Sequence, residues 1–321
     1  MPRKVLASAP SQAFLFGEHA VLYGYPALAA GVERRAKAEV ELLEDKLIEI
    51  SSEQLGEILK WRPSEYLPEG PLSPLARCLW DLMTRRGFSE GLKVVIRSDV
   101  PVSSGMASSA SVSAAIAAAA LKLIEGDFHE DDLLEEVYLF EKSIHGKASK
   151  TGPACAVYGG YVWVEWRNGE MKVSRIELGN KLTFLIGRSS LPSDTRKTVS
   201  HVASLVEKRE YVTGHVLKAI GELTLAGRRA ILEGDLETVG ELMNMNHELL
   251  SALGVSCREL DEIVWEMRSV GALGAKLSGG GGGGCVLGLF ENPEGVSLVS
   301  AEESFVVKVS DVGYRVEVEV P

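Results

Sequence analysis

Three features of the 321-residue chain predict an α+β protein built from two closely packed domains. The first half alternates short strand-like and helix-like apolar runs. The second half gathers four helical patterns and closes on strands, the segregated arrangement of α+β architectures. No Pro/Ser-rich linker parts the halves, which divide into an N-terminal domain over 1–172 and a C-terminal domain over 173–321.

The elements follow in chain order. Val5–Ala7 and Ala13–Phe16 are short apolar strand-like runs. Ala36–Leu43 and Leu47–Ile50 read as the two arms of a hairpin. Leu72–Arg85 has helical spacing, and Leu92–Arg97 (LKVVIR) is a strand. Ser108–Ile124 and Asp131–Ile144 are helices, and Tyr161–Trp166 (YVWVEW) alternates as a strand does. The second half starts with a strand at Leu182–Ile186. Helices follow at Thr195–Glu207, Val216–Glu233, Leu236–Leu253 and Cys257–Val270, then strands at Ala272–Leu277, Cys285–Phe290 and Tyr314–Val320.

Composition narrows the function classes. A formal net charge of −11 disfavours a general nucleic-acid binder, which presents a basic face. Cys78, Cys155, Cys257 and Cys285 are scattered and form no CxxC pair, as expected of reduced thiols in a cytoplasmic protein. The first residues are too short an apolar stretch for a secretory signal. Val112–Ile124, the longest apolar run, is too short to span a bilayer and reads as a buried helix. Neither a membrane nor a nucleic-acid partner is expected.

Two small-residue clusters carry the chemistry. Gly279–Gly284 is a run of six glycines between apolar segments. A backbone without side chains inside a core lets a ligand approach closely, and its N–H groups can turn toward an anion such as phosphate. The second cluster, Asp99–Ala110 (DVPVSSGMASSA), joins the strand Leu92–Arg97 to the helix at Ser108. A helix N-terminus favours an anion, and the Ser108 and Ser109 hydroxyls can reach a phosphate or a magnesium ion. These serines can equally be helix caps. The Walker pattern GxxxxGK[ST] is absent, which excludes a P-loop NTPase.

Taken together the clusters resemble the GHMP kinases (galacto-, homoserine, mevalonate and phosphomevalonate kinases). Pro101–Ala110 is similar to that family's nucleotide loop, and Gly274–Cys285 to its third motif. Ala9–Gly24 resembles the first, and Leu15–Gly24 (LFGEHAVLYG) looks like mevalonate kinases, the archaeal branch above all. Ile144–Ser149, Tyr158-Gly159-Gly160 and Met243–Leu250 extend the resemblance over nearly the whole chain.

The resemblance implies an N-terminal domain like domain 2 of ribosomal protein S5 and a ferredoxin-like C-terminal domain, with ATP and substrate in the cleft between them. By position, Ser103, Ser104, Gly105, Met106, Ala107, Ser108, Ser109 and Ala110 would wrap the ATP phosphates. Ser108 (or Ser109) and Glu141 would hold Mg2+, a hard cation suited to oxygen ligands. Glu18, His19, Ser149, Thr195, Gly279, Gly280 and Gly281 would line the substrate side, and Ser193 and Asp194 fall beside Thr195. A homodimer is implied by the family alone.

Two positions depart from the pattern. The family's Lys near the first motif is Gln12 here, and the Asp six residues before Tyr-Gly-Gly is Gly152. In the family that Asp is the proposed base, with the Lys beside it. Losing both avoids a lone charge in the cleft. Phosphoryl transfer relies mostly on positioning and charge stabilisation, so loss of a base does not by itself imply loss of activity. Lys150 is expected to restore positive charge near the γ-phosphate, and Thr151 to orient the substrate hydroxyl. The sequence thus predicts an ATP-dependent kinase of mevalonate or a close relative in isoprenoid synthesis. A changed chemistry, as in the mevalonate 3-kinases and decarboxylases, and a silent nucleotide-binding pseudokinase are the alternatives.

Overall fold

A computed structural model describes residues 3–177 and 182–319. The runs at Val5–Ala7 and Ala13–Phe16 belong to one long strand, β1 (Lys4–Phe16). A 3-10 turn at Ala20–Tyr23 leads to β2 (Ala27–Leu43), β3 (Ile48–Ser52), β4 (Glu57–Trp61), α1 (Ser73–Arg85), β5 (Gly91–Ser98), α2 (Ser108–Glu125) and α3 (Glu130–His145). Then come α4 (Thr151–Tyr158), β6 (Tyr161–Arg167), β7 (Glu170–Ile176), β8 (Thr183–Arg188), α5 (Thr195–Glu233), α6 (Leu236–Ala252) and α7 (Arg258–Ser269). Strands β9 (Gly274–Ser278), β10 (Cys285–Leu289), β11 (Glu303–Lys308) and β12 (Arg315–Glu319) close the chain. Val320, assigned above to the last strand, lies outside the described residues.

The larger sheet runs β12-β1-β2-β5-β3-β4, with β6 on β2 and β7 on β6. The smaller is antiparallel in the order β11-β8-β10-β9. The expected hairpin between Ala36–Leu43 and Leu47–Ile50 does not form. β5 pairs antiparallel with β2 and parallel with β3, so it lies between them. Burying the alternate residues of LKVVIR between two strands satisfies both edges of β5, and a local hairpin would leave one open. β7 spans the 172/173 boundary and pairs with β6, and β12 returns to pair with β1, so both belong to the larger sheet.

Helix α5 joins the two patterns at Thr195–Glu207 and Val216–Glu233 into one element, broken only at Arg209 (φ −141°, ψ 41°). Helix α4 escaped the periodicity because it is short and carries Gly152-Pro153 in its first turn. Proline is tolerated there because the first N–H groups of a helix have no intrahelical acceptor.

One core packs the larger sheet against α1–α4. Helix α2 has the length and hydropathy of a membrane span, yet most of it is buried inside this core. Its alanines let it lie close on β1 and β2. There Ser111 Oγ donates to the Ala9 carbonyl (2.6 Å) and accepts from the Ala36 amide (3.2 Å), beside the register shift at Pro10/Ser11. A second core, including Leu15, Phe16 and Leu28 with Phe184, Ile186 and Leu287, joins the two sheets. The cleft between the domains therefore has a packed floor.

Candidate active site

Four segments meet at that floor. From β1, the Gln12 amide donates to the Met106 carbonyl (2.9 Å), which ties the strand to the loop before α2. The Phe14 amide donates to Ser278 Oγ (3.0 Å), which ties it to the start of the glycine run. The Ser193 amide donates to the Ser103 carbonyl (2.7 Å), and Ser193 Oγ donates to the Gly281 carbonyl (3.0 Å). His19 Nε2 donates to the Gly280 carbonyl (2.9 Å). The two small-residue loops touch backbone to backbone. A Cβ on Gly105 would stand 2.5 Å from the Ser278 carbonyl oxygen, and one on Gly279 2.5 Å from that of Gly105.

These segments enclose a cavity of about 840 Å3. Most of the expected residues line it: Gln12, Glu18, His19, Ser103, Ser104, Gly105, Ala107, Ser108, Ser109, Glu141, Ser149, Thr151, Gly152, Thr195, Gly279 and Gly280. Four expected residues do not, Lys150 among them. Met106 is fully buried in the core between the sheets, and Ala110 is buried in the wall of α2. Gly281 lies behind the lining, where its carbonyl is taken by Ser193 Oγ. The further amides of the run are also engaged, that of Gly282 by the Val255 carbonyl (2.7 Å) and that of Gly284 by the Leu191 carbonyl (2.8 Å). Half of the glycine run thus scaffolds the other half.

Lys150 requires a correction. Its ammonium is ion-paired with Glu135 and lies 5.2 Å from the Tyr138 ring centroid, on the α3 side and away from the cavity lining. A lysine at the N-cap of α4 finds the acidic face of α3 nearer than the cleft. The cations that do line the cavity are Lys147 and Arg196, neither of which stood out in the sequence.

Helix α2 begins at Ala107, which adopts the left-handed conformation (φ 52°, ψ 44°), and no side chain caps it. Ser108 and Ser109 therefore do not serve as caps. The first-turn N–H groups face the cavity end of the helix, where its dipole favours an anion. Ser109 Oγ donates to Glu141 Oε2 (3.0 Å) and lies 3.1 Å from His145 Nε2. Ser109, rather than Ser108, is the hydroxyl in contact with Glu141, though both line the cavity.

Glu141 is buried, and its Oε1 has no hydrogen-bond partner. Burial raises its carboxyl to about 7, against a weaker opposing effect from the Ser109 hydroxyl. A buried carboxylate with a free oxygen beside a hydroxyl fits a hard divalent cation, which takes oxygen ligands. Among the described residues no cluster of three or more His, Cys, Asp or Glu could hold a metal alone. That suits magnesium, which completes its shell with phosphate and water.

On the opposite wall, burial lowers His19 to about 4, so the ring is neutral. With Nε2 committed as donor, Nδ1 is an acceptor, and it is buried without a partner. His19 also has positive φ (59°), uncommon for a residue with a side chain. Beneath it lies a feature the motifs did not flag. Lys276 is fully buried, paired with Glu18, and donates to the Phe14 (3.2 Å) and Leu277 (2.6 Å) carbonyls. Asn246 Nδ2 donates to Glu18 Oε2 (3.0 Å). Burial pushes Glu18 up and Lys276 down, and the attraction between the two opposes both shifts. The signal was a lysine in an otherwise apolar strand, a residue type rarely buried unless paired.

Part of the cavity lining is apolar. Leu55, Pro71, Pro74, Leu75, Ile96 and Val102 form it, and Gln54 is held there by its bond to the Val100 carbonyl (3.1 Å). The cavity lining therefore combines apolar side chains, the start of α2 with bare glycine backbone, and the polar Glu18 and His19.

Comparison with known proteins agrees with the family resemblance of the motifs. The model for the GHMP kinases N terminal domain matches residues 74–160, and that for the GHMP kinases C terminal region matches residues 228–302. The mevalonate kinase of Pyrococcus furiosus is 32% identical over 307 residues, covering 91% of this chain and 90% of the relative. The chain belongs to the GHMP kinases. It is therefore a member of a family of ATP-dependent small-molecule kinases with the two-domain fold. Among solved structures, the mevalonate kinase of L. major in complex with R-mevalonate superposes with a TM-score of 0.79 at 25% identity, covering 94% of each chain. The Methanococcus jannaschii mevalonate kinase gives 0.78 at 26%, covering 95% of this chain and 98% of that one.

Proposed function

We propose that this GHMP kinase transfers the γ-phosphoryl group of ATP to the primary hydroxyl of mevalonate, a step of isoprenoid synthesis. One observation carries the reading: an uncapped helix start, a bare glycine turn and a buried carboxylate face one cavity that Glu18 and His19 also line. The relatives named mevalonate kinase supply the substrate.

The adenine ring occupies the apolar part of the cavity near Leu55 and Leu75. The first-turn amides of α2 and the Gly105 and Gly279 backbone hold the triphosphate. Glu141 and Ser109 would hold magnesium, which when bound would supply positive charge to offset that of the phosphates. Arg196 and Lys147 add positive charge at the cavity wall. His19 Nδ1 and Thr195 bind the substrate. Both phosphoryl donor and acceptor are thus fixed by rigid elements, and positioning is the main source of rate in this reaction class. The free thiols of Cys78, Cys155, Cys257 and Cys285 fit a cytoplasmic enzyme.

The test is direct. With Mg-ATP and mevalonate the protein is expected to release ADP and form the 5-phosphate, seen by phosphorus NMR. Absence of turnover, or a product phosphorylated at the tertiary hydroxyl, would refute the assignment.

A further inference from the structure

Within the mevalonate kinase reading, on which this inference rests, the reacting hydroxyl meets neither the Asp nor the Lys of its relatives. We propose that the Gln12 carboxamide takes their place: its Oε1 accepts the hydrogen bond of the primary hydroxyl and holds that oxygen in line with the γ-phosphorus.

Three observations place it there. Gln12 is only 4% exposed, yet it lines the cavity and its Oε1 has no partner. A buried acceptor left unpaired is costly, so the site is built for a donor that arrives with a ligand. Phosphate oxygens at neutral pH accept hydrogen bonds and cannot satisfy it. A substrate hydroxyl can. Second, Gln12 is anchored where the phosphates are held, because its own amide is bound by the Met106 carbonyl of the phosphate loop. Third, it faces the vacated position. A Cβ on Gly152 would lie 3.8 Å from Gln12 Oε1, and 3.2 and 3.3 Å from the Ala110 and Ala107 methyls. The two altered positions still oppose each other across the site, and the space beside the carboxamide is too tight for an added carboxylate without movement of those methyls.

The same logic assigns the second hydroxyl. His19 Nδ1 is a second orphaned acceptor lining the substrate side, on a ring held by the Nε2 bond to the Gly280 carbonyl rather than by the phosphate loop. Two orphaned acceptors at two places select a substrate with two hydroxyl donors. Mevalonate offers one tertiary and one primary. The primary hydroxyl falls to Gln12 because Gln12 is the acceptor tied to the phosphate loop.

A carboxamide does not take up a proton near neutrality, so it is not a base. The hydroxyl oxygen forms a bond to the γ-phosphorus as the bond from that phosphorus to the β,γ-bridging oxygen breaks. ADP leaves with the bonding pair, and the hydroxyl proton passes to a non-bridging oxygen of the transferred phosphoryl group. Gln12 sets the direction of the O–H and of the attacking lone pair.

The experiment is a binding cycle with a turnover control. Mevalonate and its analogue with the primary hydroxyl replaced by hydrogen are titrated into the wild-type protein and Gln12→Met, which keeps length and removes hydrogen bonding. The wild-type protein is expected to prefer mevalonate about 10-fold, and the variant to bind both within about twofold, the size of one good hydrogen bond. Turnover should fall 30-fold or more in kcat, with affinity for a non-hydrolysable ATP analogue within twofold of wild type. Retention of that affinity also reports that the variant is folded, and Gln12→Ala run through the same cycle serves if Met overpacks. Equal preference for mevalonate in wild type and both variants, or wild-type kcat in Gln12→Met, overturns the proposal. If the wild-type protein neither binds nor phosphorylates mevalonate, the substrate reading itself fails and this inference with it. Phosphorylation with no coupling to Gln12 defeats the inference alone.

Discussion

Adding one methyl group at Gly105 probes the contact on which the anion cradle depends. Gly105 has φ +75°, and a Cβ there would stand 2.5 Å from the Ser278 carbonyl oxygen. Left-handed backbone costs an alanine about 1–2 kcal/mol. The steric part is larger in consequence. Reaching even a tight 3.0 Å contact opens the two loops by about 0.5 Å, and both partners are main chain, which cannot swing aside as a side chain does. Overpacking of this kind costs about 1–3 kcal/mol more. Misplacing reacting groups by about 1 Å costs roughly 100-fold in rate, so half of that displacement should reduce kcat/KM about 10-fold or more. Gly87→Ala is the control. Its φ is +65° with nothing within 4 Å, so it carries the backbone cost without the contact. Denaturant unfolding and steady-state kinetics of both variants decide the matter. Gly105→Ala should lose more stability than Gly87→Ala and should alone lose catalytic efficiency and ATP-analogue affinity. If Gly105→Ala keeps kcat/KM within threefold of wild type, the backbone approach of these two turns is not what holds the phosphates.

Further outcomes follow from single groups. Because burial raises Glu141 to about 7 from 4.5, the metal-free folded protein binds more protons than the unfolded chain between those values, and Glu141 lowers its stability as pH rises through that window. Glu141→Gln should therefore match wild type near pH 4 and be the more stable of the two at pH 8, by at most about 3 kcal/mol in metal-free thermal unfolding, while losing its magnesium-dependent turnover. Lys276→Met leaves the buried Glu18 unpaired and should cost about 3–5 kcal/mol in denaturant unfolding, most of it recovered when Glu18→Gln is added. Lys150→Ala should leave kcat and KM within twofold of wild type, since its ammonium is engaged by Glu135 outside the cavity.

Local signals in the chain place most of the elements but not β4, α4, β7 or β11, and they do not give the strand order. The alternation of LKVVIR marks β5 as a strand, but nothing in it says that β5 inserts between β2 and β3, because strand order is decided by which edges remain open. The return of β12 to β1 is equally invisible, since its partner lies about 300 residues away along the chain. α4 was missed because its eight residues, with a glycine and a proline, are helical by tertiary context rather than propensity.

For the site, the glycine run and the serine loop were legible because unusual backbone chemistry needs unusual residues. What those residues do was only half legible. Six glycines in a row suggest six amides for phosphate, but the Gly282 and Gly284 amides hold Val255 and Leu191 in place, and the glycines there serve close packing. Lys150 was singled out because it is a charge near an altered motif, and sequence proximity cannot tell which way a side chain at a helix N-cap turns. Lys276, one residue inside a recognised motif, carries more of the site than Lys150 does, through Glu18 and the Phe14 carbonyl. The difference is burial. A fully buried lysine paired in register with Leu287 must find its compensation inside the protein, and the partner it finds is the Glu18 carboxylate. The ammonium of Lys276 is thus spent on Glu18 beneath the cavity, and the cations at the cavity wall are Lys147 and Arg196.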